Sequence, residues 1–232
     1  MIILYDKNKA SGFDRNDLVL QNVTKCEVTW EKNGEYQISL TYAIISNDDA
    51  WKSIVKGAIV KCPVPFQEDQ LFRLNTPTKK LESGIPSIEV VGYHISYDLS
   101  YNFLEDVRPT GLNGSDAGKY ILSHAQFSHS FNFSSDITDI HTAYYIRKNV
   151  LNALIGDDDN SYVNVWGGEL VRDNFSIGMY KQAGNNTSVV IKYGKNLTGL
   201  EFTSDDSKLA TRIMPIVTQD DTDTTTKDTM PD

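Results

Sequence analysis

Over residues 25–42 polar and apolar residues alternate on both sides of one turn signal. Cys26, Val28 and Trp30 alternate with Lys25, Glu27, Thr29 and Glu31. After Lys32-Asn33-Gly34-Glu35 the apolar positions resume at Tyr36, Ile38, Leu40 and Tyr42. A period of two puts each set on one face of a strand. Asn-Gly between two such runs is the strongest short hairpin signal, because both residues tolerate positive φ. A one-residue slip would throw Trp30 and Tyr36 onto the polar face, so the register is expected to be firm. A chain with this hairpin near its start is committed to an antiparallel sheet.

Further strands follow at similar spacing. Residues 57–62 form a strand stopped by Pro63 and Pro65, residues 70–74 another, and residues 87–93 a third that runs on through residue 99. Residues 49–55 read as a short helical turn around Trp51 and Ile54. Residues 1–105 are therefore expected to be an N-terminal β-barrel-like domain. Residues 106–160 read as an α/β insertion with two helices. The first spans residues 117–127, capped by Ser115-Asp116; the second spans residues 141–155, with an apolar stripe ending at Gly156. Residues 131–133 read as an isolated strand between them. Residues 161–217 are expected to be an antiparallel β region, part of a second barrel. Its strands fall at 162–166, 169–172, 175–181, 188–193, 197–202 and 209–217, with turns at Gly167-Gly168, Asp173-Asn174 and Gly184-Asn185-Asn186. Residues 218–232, rich in Asp and Thr, read as a polar tail expected to be disordered or shortened. The fold class is mainly β with an α+β insertion.

Charge and cysteine content narrow the function. The net charge of −9 argues against a tight grip on phosphates, so no specific nucleic-acid partner is expected. Cys26 and Cys62 are too few for a disulfide framework and read as small buried hydrophobes, with a bridge between them the less favoured reading. The start, Met1 to Asp6, lacks a basic region and is too short for a signal peptide, and no apolar run approaches membrane-spanning length. Synthesis in the cytoplasm without membrane insertion is expected.

Motifs that would carry chemistry break down on inspection. In Gly114-Ser115-Asp116-Ala117-Gly118-Lys119-Tyr120 a phosphate loop would need Gly at Asn113 and Ser or Thr at Tyr120, so a helix start is the better reading. His94, His124, His129 and His141 lack ligand spacing, and they read as surface or hydrogen-bonded histidines. From Asp157, a calcium loop would need Gly at Tyr162 and Glu at Gly168, which leaves a polar loop closing a helix. Trp30, Trp51 and Trp166 are candidates for sugar stacking, but Trp30 and Trp166 sit in strand-like runs that favour core or interface packing. Catalytic, cofactor-binding and metal sites are all assigned as none, and no cofactor is expected.

Four blocks in order resemble one known family. They are the hairpin through Asn33-Gly34-Glu35-Tyr36; the strand ending His94-Ile95-Ser96-Tyr97-Asp98-Leu99; the helix end Ala153-Leu154-Ile155-Gly156 followed by Trp166-Gly167-Gly168-Glu169-Leu170; and Tyr193-Gly194-Lys195-Asn196-Leu197-Thr198-Gly199-Leu200 with Thr211-Arg212-Ile213. Together they resemble the phage minor structural protein family, also called the prophage endopeptidase tail or tail-associated lysin family. The resemblance implies small β-barrel domains like those of a phage baseplate hub. It implies a homotrimer at a siphophage or prophage tail tip, ringing the channel for tape measure and DNA. It implies the distal tail protein and the tape measure protein as partners, with receptor-binding or tail-fibre proteins beyond them. It places the chain in the virion and assigns wall-degrading activity to further C-terminal domains, so the chain itself is expected not to be an enzyme. It also leads one to expect a second barrel still completing near residue 217.

Two other function classes compete with this one. A cell-wall hydrolase would need its active site in this chain, and a carbohydrate-binding module would need an exposed aromatic stripe in a groove.

Overall fold

The computed structural model describes residues 1–65, 67–82, 84–184 and 189–201. The strands are β1 (Ile3–Tyr5), β2 (Leu18–Val19), β3 (Val23–Trp30), β4 (Tyr36–Ala43), β5 (Ile59–Cys62), β6 (Gln70–Leu74), β7 (Thr78–Glu82), β8 (Ile85–His94), β9 (Phe103–Val107), β10 (Leu112–Asn113), β11 (Asn132–Ser135), β12 (Ile140–His141), β13 (Tyr145–Asn149), β14 (Glu169–Asp173) and β15 (Ser176–Tyr180). The α-helices are α1 (Gly114–Ser123), α2 (Val150–Ile155) and α3 (Tyr162–Val165), and 3-10 helices cover Ala50–Ser53 and Ile95–Tyr101.

The first sheet runs β2-β1-β5-β6-β8-β4-β3, with β7 added to β8. All its pairings are antiparallel. The hairpin holds the expected register: Trp30 lies opposite Tyr36, Val28 opposite Ile38 and Cys26 opposite Leu40. Tyr36, Ile38, Leu40 and Tyr42 are all buried, as the period of two requires. They form one core with Leu4, Val60, Cys62, Phe72, Leu74, Ile88 and Val90. At the turn only Asn33 takes a positive φ, of 53°; Gly34 does not. The sheet curls, but its path ends at β2 and β3 without pairing them, so it is an open barrel among the described residues.

A second core gathers residues 99–179. Ala117, Ile121 and Leu122 of α1 pack with Phe133, Tyr145, Leu154, Tyr162, Trp166, Leu170, Ile177 and Met179. Here the sheet order is β11-β15-β14, flanked by the β9–β13 and β10–β12 pairs. Gly118 lets α1 close on β11, since a Cβ at that position would fall 2.0 Å from the Phe133 ring.

Several elements depart from the sequence reading. Residues 131–133 are not an isolated strand; β11 pairs in parallel with β15. The helix read over residues 141–155 is a strand followed by a short helix. Asn149 caps α2 by accepting from the Asn152 N–H at 2.7 Å, and Tyr145–Asn149 pairs with β9 instead. The cap of α1 is Asn113 rather than Ser115-Asp116, accepting from the Asp116 N–H at 2.9 Å, and the helix ends at Ser123. The alternation at residues 162–166 belongs to α3, not to a strand. β1, β2, β7, β9 and β10 lay outside the sequence reading altogether.

Residues 186–232 form a separate unit. Its described part, 189–201, carries no named strand. A turn closes where Lys192 O accepts from the N–H groups of Lys195, Asn196 and Leu197, and Tyr193 bridges to Leu197. The strand read at residues 188–193 is therefore not formed in its described part. The strand over 209–217 and the tail lie outside the described residues, as does all but the start of the strand over 197–202.

Candidate functional site

The two cores of residues 1–185 meet along a polar seam built mainly from two turns. Asn33 at the β3–β4 turn and Asn174 at the β14–β15 turn both sit in left-handed backbone, at φ 53° and 50°. Asparagine tolerates this conformation better than most residues. Each then uses its side-chain amide on the other module. Asn33 Oδ1 accepts from the Leu170 N–H at 2.7 Å, and its Nδ2 donates to Gly168 O at 3.0 Å. Asn174 Oδ1 accepts from the Leu71 N–H at 2.9 Å, and its Nδ2 donates to Asp69 O at 3.1 Å. In both cases one amide reads the carbonyl of one residue and the N–H two positions later, so it stands in for a neighbouring strand. The two modules clasp each other reciprocally.

Between the two asparagines runs a chain of buried polar groups. His94 Nδ1 accepts from the Ser96 N–H at 3.2 Å, so its proton sits on Nε2, which donates to Gln70 Oε1 at 3.0 Å. Gln70 Oε1 also accepts from the Asn174 N–H, and Gln70 Nε2 donates to Asp173 Oδ1 and Glu68 O. Every polar atom of the Gln70 amide is thereby used. Burial, reinforced by the charge of Arg172, pulls the His94 pKa down to about 3, so the ring is neutral at physiological pH. Tyr36 stacks on that ring at 4.6 Å. Tyr36 Oη donates to Gln67 Oε1, and burial chiefly raises its pKa.

Arg172 is the largest fully buried side chain among the described residues. Its Nη2 donates to Gly34 O at 2.7 Å, while Nε and Nη1 have no hydrogen-bond partner among the described residues. The guanidinium lies instead over the rings of Tyr36 and Tyr97, at 5.3 and 5.6 Å. Ring faces attract a cation, which offsets part of its lost hydration. Burial lowers the Arg172 pKa. At the rim, Lys32 pairs with Glu169 at 2.6 Å; that contact is the main cause of the lowered Glu169 pKa.

Each residue of the His94–Leu99 block now has a physical role. His94 enters the network, Ile95 and Leu99 are core residues, and Tyr97 lies under Arg172. Asp98 takes a two-pronged ion pair from Arg73, with both contacts at 2.6 Å.

The remaining sequence candidates fall elsewhere. Trp166 is buried, donates Nε1–H to Leu112 O at 3.0 Å and stacks on Tyr162. Trp30 is half exposed and lines a groove of about 670 Å³ with Val28, Val64, Pro65, Gln67 and Val171. Trp51 carries Lys79 over its ring. His124 stacks on Tyr120, His129 bonds to Leu122 O, and His141 meets the edge of Trp166. Asp158 pairs with Lys148 and caps its own loop through the Asn160 N–H. Among the described residues no group of three or more His, Cys, Asp or Glu gathers as a metal site, and no helix is long and apolar enough to cross a membrane.

Residues 2–94 match the model of the prophage endopeptidase tail N-terminal domain. Over this stretch the chain is similar to the N-terminal domain of a phage tail family. The matched stretch ends on His94, at the heart of the seam. The fold is similar to that of the prophage tail protein gp18 from Listeria monocytogenes EGD-e, with a TM-score of 0.60 and 17% identity. That likeness covers 85% of this chain and 56% of the Listeria chain, so this chain spans little more than half of its relative. A tail protein from Neisseria meningitidis MC58 (TM-score 0.45, 6% identity, 77% of this chain and 44% of that one) and an E. coli type VI secretion component (0.42, 9%, 69% and 48%) are more distant, and no argument rests on them. No curated protein matches the sequence.

Proposed function

We propose that the chain is a structural tail-tip protein, a baseplate hub of a siphophage or prophage. It acts in the virion as one of three copies ringing the channel for tape measure and DNA. It is made in the host cytoplasm and contacts the distal tail and tape measure proteins. The tail family of residues 2–94 supports the setting. The observation that carries the mechanical part is the seam: the perturbed buried groups, His94 and Arg172, are occupied in holding two modules together. Perturbed groups at an active site face a cleft, whereas these face each other. A collar needs modules that do not swing, and the clasp supplies that rigidity. Subunits closing a ring are related by point symmetry, and free sheet edges such as β3 and β7 suit contacts between copies. The chain does no chemistry in this role. Any wall-degrading activity resides in other domains, as in a tail-associated lysin.

Light scattering on the assembled tail tip tests the reading: three copies are expected, and two or six would contradict it. A zymogram on purified cell walls tests the enzyme alternative, since clearing by this chain alone would overturn the structural assignment.

A further inference from the structure

Cys26 and Cys62 lie on strands that share no ladder. Among the described residues β3 pairs with β4 alone, and β5 pairs with β1 and β6. The curl of the sheet nevertheless brings the two cysteines together. Cys26 is opposite Leu40, and Leu40 and Cys62 belong to the same core, so Cys26 sits at the exposed margin of the core that buries Cys62. Two residues further along each segment, Val28 and Val64 line the same groove. Each thiol is the largest influence on the pKa of the other, and both are free.

From this placement we infer that Cys26 and Cys62 are a disulfide site, whose oxidation stitches β3 to β5 and closes the open barrel covalently. The two cysteines divide the work unequally. Cys26 is exposed, and its contact with Cys62 lowers its pKa, which favours the thiolate. Cys62 is buried, and its pKa is raised, first by the same contact and then by burial. With a small-molecule disulfide as oxidant, the Cys26 thiolate attacks one sulfur and releases one small thiol. Cys62, giving up its proton, then attacks the mixed disulfide at the Cys26 sulfur and releases the second. Two electrons pass to the small disulfide, and the two protein thiol protons end on the two released thiols. On the reading as a virion component, the pair stays reduced in the host cytoplasm and oxidises after release.

The test incubates the folded chain with oxidised glutathione, without denaturant. The expected product is a monomer lighter by two hydrogens, whose non-reducing peptide map joins the Cys26 and Cys62 peptides. Closing a loop of roughly 35–40 residues should raise the unfolding midpoint by about 10 °C, reversed by reductant and absent from Cys26→Ser. A stable glutathione adduct on Cys26 with Cys62 still reduced would overturn the inference. So would a disulfide-linked dimer, or a bond that forms only after unfolding. These readouts concern the isolated chain, so a negative result leaves the hub reading to its own test.

Discussion

Replacing Asn33 by glycine removes the clasp amide while leaving the turn backbone, at φ 53°, in a conformation glycine adopts freely. Two hydrogen bonds are lost, to Gly168 O and from the Leu170 N–H. Leu170 is only 3% exposed, so water does not readily replace the acceptor. An orphaned buried donor costs about 1–3 kcal/mol, and the second bond contributes about 1 kcal/mol more. The added freedom of glycine in the unfolded chain costs up to about 1 kcal/mol by itself. The expected loss is therefore about 2–5 kcal/mol, read as a lower urea midpoint at unchanged slope. Asn174→Gly should cost a similar amount through Asp69 and Leu71. Because both residues hold the same seam, the double variant should depart from additivity by at least about 0.5 kcal/mol. A loss from Asn33→Gly below about 1 kcal/mol, which glycine entropy alone explains, would refute the clasp as a source of stability.

The remaining predictions concern burial. His94 titrates near its ordinary value of about 6.5 when unfolded and at about 3 when folded. Below about pH 6.5 the unfolded chain takes up a proton that the folded chain refuses. Stability from this residue is thus full above pH 6.5 and falls by up to about 1.4 kcal/mol per pH unit towards pH 3. Denaturation at stepped pH should show a shallower slope in His94→Gln; an unchanged slope would contradict the assignment. Gly118→Ala should destabilise by about 1–3 kcal/mol although helix propensity alone favours alanine by about 1 kcal/mol, because the new methyl meets the Phe133 ring. A thermal melt showing stabilisation would mean that α1 sits further from β11 than described.

The first sheet was legible because its strands alternate and its turns carry Asn-Gly and Pro signals. β7 was missed because Thr78–Glu82 is exposed along its whole length and has no apolar alternation to read. The stripe over residues 141–155 misled because its apolar positions serve a strand up to Asn149 and a helix after it. The likeness to the tail family over residues 2–94 was legible in the sequence, but the seam was not. Asn33 and Asn174 announced turns, and nothing local says that a turn residue spends its amide on a backbone more than a hundred positions away. The buried Arg172 was equally hidden, since an arginine in a strand reads as a solvent-facing residue.

The most direct test is a cryo-EM reconstruction of the assembled tail tip that contains this chain. The account expects three copies around an open channel, with the Asn33 amide on Gly168 and Leu170 and the Asn174 amide on Asp69 and Leu71 in every copy. A different copy number, or modules rotated apart at those two asparagines, would contradict it.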